Sequence, residues 1–187
     1  MSLDRQRYNA LQILLHWSTL VLLAVACISM ELSELYSKGS PERLGLRQWH
    51  YTSGLLVWLL LWPRLLMASL LESPPVKPRM TDWMSLAARA MHGLLYFFML
   101  LMPFVGWMTL SAKGTTVQWG AIVLPTLIEP NRSLAHWLKE AHEAGAAIGY
   151  FLVGLHAAAA LFHHLVMKDN TLARMLPMRF RKTAEIV

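Results

Sequence analysis

Two histidines share one face of a long apolar segment in the last third of the chain. His142 and His156 lie fourteen residues apart within residues 141–167, a stretch with almost no charge. At about 100° per residue, fourteen steps come within roughly 40° of four full turns, so a helix places both imidazoles on one side about 21 Å apart. An imidazole in a membrane is costly unless its nitrogens are occupied. The spacing predicts one metal centre near each membrane surface, and the alternative is a pair of core histidines that hydrogen-bond to neighbouring helices.

Composition indicates that these histidines belong to a membrane protein. The chain has 187 residues, of which 56% are hydrophobic and only 15% are charged, whereas about a quarter of a soluble domain is charged. Four apolar windows each hold roughly the twenty residues that cross a hydrocarbon core. They predict an all-α, integral membrane four-helix bundle with helices at about residues 11–30, 50–71, 90–110 and 141–167. Because little chain is left over, we expect a single domain over residues 1–187.

The basic residues set the expected orientation of the bundle. The net charge is +6, but no basic patch with interleaved aromatic residues indicates nucleic-acid binding. With both termini on one side, that side holds Arg5, Arg7, Arg64, Lys77, Arg79, Arg89, Lys168, Arg174, Arg179, Arg181 and Lys182, and the other holds Lys38, Arg43, Arg47, Lys113, Arg132 and Lys139. Since positive residues collect on the cytoplasmic side, we expect both termini to be cytoplasmic.

This topology assigns each histidine a depth and so restricts pairing in the outer layer. His50 and His142 each lie about three residues below the outer end of their predicted helices. His136 is also on the outer side but falls in the predicted connector. The outer pair is therefore expected to be His50 with His142.

The inner layer offers more histidines. His16 and His156 lie deep in their predicted helices, whereas His92 lies close to the predicted headgroup region. Depth favours His16 with His156, and the roles of His92 and His164 stay open. His163 follows His156 by two turns and is also an inner candidate.

Two opposed imidazoles in an apolar bundle suit iron held in a porphyrin, because they fill both axial positions. A structural zinc site requires four ligands, and each layer offers two or three with no cysteine or carboxylate among them. Gly54 follows the outer histidine of the second helix by one turn, and Gly145 and Gly149 follow that of the fourth helix. These glycines let a flat ring lie against backbone, although small residues are also common at helix contacts. Cys27 is the single cysteine, so a CxxCH attachment site is absent and haem must be held by ligation alone.

Short motifs recur in order along nearly the whole chain. They are LLHW (14–17), MEL (30–32), HYTSG (50–54), HE (142–143), GYF (149–151), GLHAAAALFHH (154–164), KDNTL (168–172) and MLP (175–177). This ordered set resembles the bacterial cytochrome b561 family, whose members are four-helix, di-haem proteins of the inner membrane. The resemblance implies two haem b groups in a multi-pass protein surrounded by membrane lipid.

The family pattern can be carried over residue by residue. It implies one haem between His16 and His156 and the other between His50 and His142, in agreement with the depths above. It also implies a ubiquinone site near His163 on the cytoplasmic side. Members of this group are linked to oxidation of superoxide with transfer of the electron to ubiquinone, whereas others in the wider group resemble electron carriers for partner enzymes.

The leading hypothesis is a superoxide:ubiquinone oxidoreductase that takes electrons from a periplasmic donor. Arg47 and Lys139 are among the outer basic residues that can steer a small anion toward the outer haem, although they can equally contact headgroups or haem propionates. The alternative is a haem-b electron-transfer subunit for a partner enzyme, without catalysis of its own. A non-redox membrane scaffold is a third hypothesis, and no residue is assigned as catalytic from the sequence.

Overall fold

Four long helices make up nearly all of the computed structural model, which describes residues 7–119 and 122–177. The helices are α1 (Ala10–Ser33), α2 (Pro41–Leu70), α3 (Asp82–Ala112) and α4 (Arg132–Leu165), and each is long and apolar enough to cross a membrane. The strands β1 (Gln118–Trp119) and β2 (Ile122–Val123) pair as a short antiparallel hairpin, and a 3-10 helix covers Ala173–Met175. The prediction of an all-α four-helix membrane bundle is confirmed. Four of the basic residues counted for topology, Arg5, Arg179, Arg181 and Lys182, lie outside the described residues.

Three helices begin eight or nine residues earlier than the apolar windows predict, at Pro41, Asp82 and Arg132. The start of α2 shows the reason. The Ser40 side chain accepts a hydrogen bond from the backbone N–H of Arg43 at 3.2 Å, and proline occupies the first helical position. Both features favour helix initiation whatever the polarity of the following turns. The apolar window therefore marks the part of the helix that suits lipid, and the helix itself extends beyond that window.

Helix capping ahead of the apolar window also changes the position expected for His136. The Asn131 side chain caps α4 by accepting a hydrogen bond from the backbone N–H of Leu134 at 3.0 Å. His136 therefore lies in the second turn of α4, and the expectation that it belongs to the connector is wrong.

The helices are arranged as two hairpins. α1 packs along most of α2 and α3 along most of α4, while the α2–α3 contact is smaller and α1 barely touches α4. α1 can approach α2 closely because its buried side chains include the small residues Thr19, Ala26, Ser29 and Ser33. The hydroxyl groups of Thr19, Ser29 and Ser33 donate to carbonyls of their own helix, as from Thr19 to Leu15 at 2.7 Å. Close packing therefore leaves none of these three hydroxyls unpaired. A direct link between α1 and α4 is the Tyr150 hydroxyl, which donates to Glu31 at 3.3 Å.

The apolar core lies at mid-height between the two hairpins. It is formed by Val57, Leu61 and Met99, of which Leu61 is fully buried. The residues packed around it are Leu22, Leu23, Leu65 and Tyr96. On α4 the buried residue Leu152 falls, in sequence, between His142 and His156. The core therefore separates two layers of histidines.

The two ends of the bundle differ. The connector end carries residues 34–40, 113–119 and 122–131, and the termini end carries Tyr8, residues 71–81 and residues 166–177. At the termini end, residues 166–177 fold back and close the bundle. The Trp17 indole donates to the Met175 carbonyl at 2.8 Å, and the buried Arg174 guanidinium donates to the Pro74 carbonyl.

A buried arginine fixes the connector end. The Arg43 guanidinium donates to both carboxylate oxygens of Glu34 at 2.7 Å and to the Tyr36 carbonyl at 2.8 Å. The hydrogen bond from Arg43 lowers the pKa of the Glu34 carboxyl below its ordinary value. Arg43 therefore holds the α1–α2 connector in place rather than presenting a free charge.

Replacing Arg43 with Met should lower the free energy of unfolding by about 1–3 kcal/mol, because the Tyr36 carbonyl loses its hydrogen-bond donor. Thermal unfolding followed by circular dichroism in detergent measures the difference.

Since the pKa of Glu34 is lowered in the folded protein, the ion pair with Arg43 stabilises the fold fully above the ordinary glutamate pKa. This stabilisation is lost as the pH falls through the lowered value. The difference in free energy of unfolding between R43M and wild-type protein should therefore become smaller in acid. The matched control is Arg47→Met, since Arg47 lies 3.3 Å from Glu34 and is more exposed. Equal stability of R43M and wild-type protein at neutral pH would contradict this role of Arg43.

Candidate functional site

His50 and His142 face each other at the connector end. Their ring centres are 6.0 Å apart, and they belong to different hairpins. The Nδ1 atom of His50 lies 2.8 Å from the Ala26 carbonyl oxygen on α1. Because a carbonyl can only accept, Nδ1 of His50 carries the proton and donates it, which leaves Nε2 as the free lone pair. The imidazole is thus held in the tautomer and orientation of a metal ligand.

The His142 ring packs against a glycine of α3. A Cβ atom at Gly106 would lie 3.1 Å from Cε1 of His142, so a larger residue there would push the ring away. Nδ1 of His142 is buried and forms no hydrogen bond of normal geometry within the described chain, although the backbone of Met102 lies close to it. The α3–α4 packing therefore fixes where this imidazole stands.

Three imidazoles gather in the layer nearer the termini end. The ring centre of His156 lies 6.3 Å from that of His16 and 5.3 Å from that of His92. The expectation that His92 lies only about three residues inside its helix is wrong, because α3 begins at Asp82 and carries His92 more than two turns into the helix. Nη2 of Arg64 lies 3.4 Å from Nδ1 of His16, and its guanidinium stands over the Tyr96 ring.

The ring spacings fit one metal ion between two imidazoles. Bonds of about 2.0 Å from a metal to each imidazole place the two ring centres roughly 6 Å apart. The His50–His142 and His16–His156 pairs match this distance, and the His92–His156 pair is too close. Across residues 7–119 and 122–177, no group of three or more His, Cys, Asp or Glu side chains has the geometry of a metal site. The arrangement suits a metal that takes its remaining ligands from a macrocycle.

Glycines beside the histidines differ in their surroundings. A Cβ atom built at Gly54 or Gly149 would meet nothing within 4 Å among the described residues. Gly145, in contrast, is a helix contact, because a Cβ there would lie 2.5 Å from the Met102 sulfur. Gly54 and Gly149 therefore leave backbone open to a flat ring, and Gly145 does not. α4 as a whole buries only Ala135 and Leu152 against the described chain.

His163 is held by a carboxylate at the termini end. Its Nδ1 atom lies 2.5 Å from Oδ2 of the buried Asp169. Burial alone would raise the pKa of Asp169, but hydrogen bonds from Thr171 and His163 outweigh it and the pKa lies below its ordinary value. His164 also lies in the last turn of α4, and no partner within the described residues defines a role for it.

The basic residues of the connector end are partly neutralised. Lys139 pairs with Glu143 at 2.6 Å, and Arg47 lies 3.3 Å from Glu34. Within the described part of the chain, Lys113 and Arg132 form no ion pair. Burial lowers the pKa of Lys113, and the nearby cations Lys139 and Arg47 lower it further. Acidic residues equal basic ones in number at this end, so its positive charge is local, as at Lys113 and Arg132.

Comparison with known proteins identifies the family. The family model described as prokaryotic cytochrome b561 matches residues 7–178. The chain belongs to the prokaryotic cytochrome b561 family. It is therefore a membrane electron-transfer protein of a family that binds haem b.

Relatives cover nearly the full length of this cytochrome b561 family member. Cytochrome b561 homolog 1 of Escherichia coli K12 is 38% identical over 92% of this chain and 98% of its own. A protein of Yersinia pestis named probable superoxide oxidase CybB is 32% identical over 93% of this chain and 98% of its own. Cytochrome b561 homolog 2 of Escherichia coli K12 is 25% identical over 91% of this chain and 92% of its own.

Sequence reasoning missed three contacts around the histidines. Gly106 was assigned no role and Arg64 was counted only for topology, because hydropathy reports depth but not the direction in which a helix face points. Asp169 was part of the KDNTL motif, yet nothing in that motif indicated that the chain turns back toward His163. Thr81 and Asp82 could have placed the start of α3, and with it the distance of His92 from the helix end.

Replacing Gly106 with Val should displace the His142 ring and lower the haem content per chain. Overpacking of this kind costs about 1–3 kcal/mol. The measurement is haem absorbance against protein concentration after purification. Ala87→Val is the matched control, since Ala87 lies on the same helix and is exposed. Equal haem content in the two variants would show that haem binding does not depend on this contact.

Proposed function

We propose that this cytochrome b561 family member holds two haem b groups and carries electrons across the bacterial inner membrane from superoxide to ubiquinone. The observation that carries the proposal is the pair of imidazole spacings near 6 Å, one in each layer. Haem b supplies one-electron redox chemistry when it is bound.

The outer haem is assigned to His50 and His142. His50 presents Nε2 because Nδ1 donates to the Ala26 carbonyl. His142 is fixed opposite by Gly106, and Gly54 and Gly149 leave backbone surface beside the pair. These residues need little rearrangement to act as axial ligands.

The inner haem is assigned to His16 and His156. In the present arrangement Nδ1 of His16 accepts from Arg64 over a long 3.4 Å contact, so the proton sits on Nε2. Ligation through Nε2 requires the proton to move to Nδ1 and Arg64 to turn away, which frees the guanidinium for an acidic group such as a haem propionate. His92 is not assigned as a ligand, because its ring is too close to His156 for a metal to lie between them.

The direction of electron flow rests on the asymmetry of the two ends. We assign the connector end to the periplasm, the termini to the cytoplasm and the surrounding partner to membrane lipid. Superoxide is an anion, and cations such as Lys113 and Arg132, which form no ion pair among the described residues of the connector end, favour its approach. The quinone site is assigned near His163 at the opposite end. One relative is named probable superoxide oxidase, which supports this donor.

Two haem b groups per chain are expected, and each should depend on its own histidine pair. His142→Ala should remove the outer haem and His156→Ala the inner one, so each variant should keep about half of the haem. Pyridine haemochrome analysis with protein quantitation gives the ratio, and reduced-minus-oxidised spectra identify the haem that remains. His136→Ala is the matched control, since this exposed α4 histidine stands beside Glu140 and outside both pairs.

A wild-type ratio near one haem per chain would contradict the two-site proposal. Loss of both haems from either variant, with helical content intact, would show instead that the layers are not independent.

Superoxide should reduce the haems at a rate that falls as ionic strength rises, because salt shortens the Debye length from about 10 Å at 0.1 M to about 3 Å at 1 M. Arg47→Gln or Lys139→Gln should slow this reduction about two- to tenfold at low salt, since each leaves a nearby glutamate uncompensated. Stopped-flow absorbance on reconstituted protein measures the rate. Arg79→Gln is the matched control, because it removes the same charge from the termini end. Salt-independent reduction would reject electrostatic steering, and no reduction by superoxide would favour the electron-transfer subunit of a partner enzyme.

A further inference from the structure

A buried carboxylate faces His163 at the end of the bundle where the quinone site is proposed. The Asp169 side chain is 3% exposed, and its Oδ2 atom lies 2.5 Å from Nδ1 of His163. Burying a carboxylate is costly unless charged or polar partners compensate it. The position of Asp169 therefore needs an explanation beyond ordinary packing.

The backbone aims Asp169 at His163. Lys168 has a φ of +52°, a left-handed conformation that non-glycine residues rarely adopt, and it turns the chain back at the end of α4. The backbone N–H of Asp169 then donates to the His163 carbonyl at 3.1 Å. The backbone N–H of Thr171 donates to Oδ1 of Asp169 at 2.8 Å. One carboxylate oxygen thus accepts from Thr171, and the other is directed at the imidazole.

The anchoring of this segment does not itself require Asp169. Asn170 exchanges hydrogen bonds with Lys77, at 2.8 and 3.1 Å, and donates to the Pro75 carbonyl at 3.3 Å. Arg174 and Trp17 attach the following residues to the rest of the bundle. Asn170 therefore provides a means of loosening the segment without altering the contact to His163.

The Asp169–His163 contact has a defined chemical consequence. An ionised carboxylate only accepts, so Nδ1 of His163 carries a proton and Nε2 is the atom that takes up or releases the second one. A carboxylate in this position orients the imidazole and stabilises the imidazolium that forms when Nε2 is protonated. His163 itself is mostly buried, with 14% of its side chain exposed.

We propose that Asp169 is a positioning residue that holds His163 as the proton donor to a quinone, an inference that rests on the proposed function. Two superoxide anions each give up one electron and become dioxygen. The quinone takes up both electrons and two protons and becomes the quinol. His163 delivers a proton from Nε2 to one quinone carbonyl oxygen, becomes neutral, and is reprotonated from water on the termini side. The other carbonyl oxygen takes its proton from water. Asp169 stays ionised throughout.

The test compares Asp169→Asn, Asp169→Glu and Asn170→Ala with the wild-type protein. Stopped-flow absorbance measures haem reduction by superoxide and, separately, reoxidation of reduced haem by ubiquinone-1. D169N should slow reoxidation at least about tenfold and leave haem reduction within about twofold, because only the proton-transfer side is affected. D169E should retain more of the rate than D169N, since it keeps the negative charge. N170A should reoxidise at close to the wild-type rate.

A second readout separates proton transfer from folding. The solvent deuterium isotope effect on reoxidation should be larger in D169N than in wild-type protein, and haem content and thermal stability should be similar. Reoxidation as fast in D169N as in wild-type protein would overturn the role of Asp169. The role of Asp169 is also overturned if N170A is reoxidised as slowly as D169N, or if D169N is reoxidised at least as fast as D169E. If wild-type protein is not reoxidised by ubiquinone-1 at all, the proposed function fails and the role of Asp169 fails with it.

Discussion

An imidazole inside a membrane must find partners for both ring nitrogens, and this requirement organises the bundle. His50 shows how the requirement is met. Its Nδ1 atom uses the Ala26 carbonyl of the neighbouring helix, and its ring centre lies 6.0 Å from that of His142 on the other hairpin. The α1–α2 packing thus determines the chemical state of a histidine that faces α4. Any shift between α1 and α2 would change both the tautomer and the direction of this ring.

The separation of the two histidine layers depends on the apolar core. Val57, Leu61 and Met99 pack at mid-height, and the small buried side chains of α1 let α1 and α2 approach closely. Because α1 and α4 barely touch each other, the two hairpins meet mainly through α2 and α3 and through the neighbouring imidazoles. Sparse packing between α1 and α4 would suit flat cofactors held by histidine ligands.

The two ends of the molecule are built for different tasks. At the connector end, Arg43 is buried and paired, while Arg47 and Lys139 are more exposed and only partly neutralised. This arrangement keeps the connector fixed and leaves cationic side chains exposed at that end. At the termini end, residues 166–177 fold over the bundle and bring a buried carboxylate to His163. Charge at the connector end is therefore carried by exposed side chains, and the carboxylate at the termini end is enclosed beside a single histidine.

The four spans, the membrane class and the depth of most histidines follow from the amino-acid sequence alone. Hydropathy and the 3.6-residue period are local properties, so they suffice to place His142 and His156 on one helix face. Depth also made His50 the expected neighbour of His142, although hydropathy placed His92 only about three residues inside α3 because the helix begins before its apolar window. The packing of the helices was needed to show that His92 stands beside His156, that Gly106 supports the His142 ring, and that Asp169 returns to His163. These features depend on how each helix is rotated and which neighbour it meets, and neither rotation nor neighbours can be read from hydropathy along a single chain.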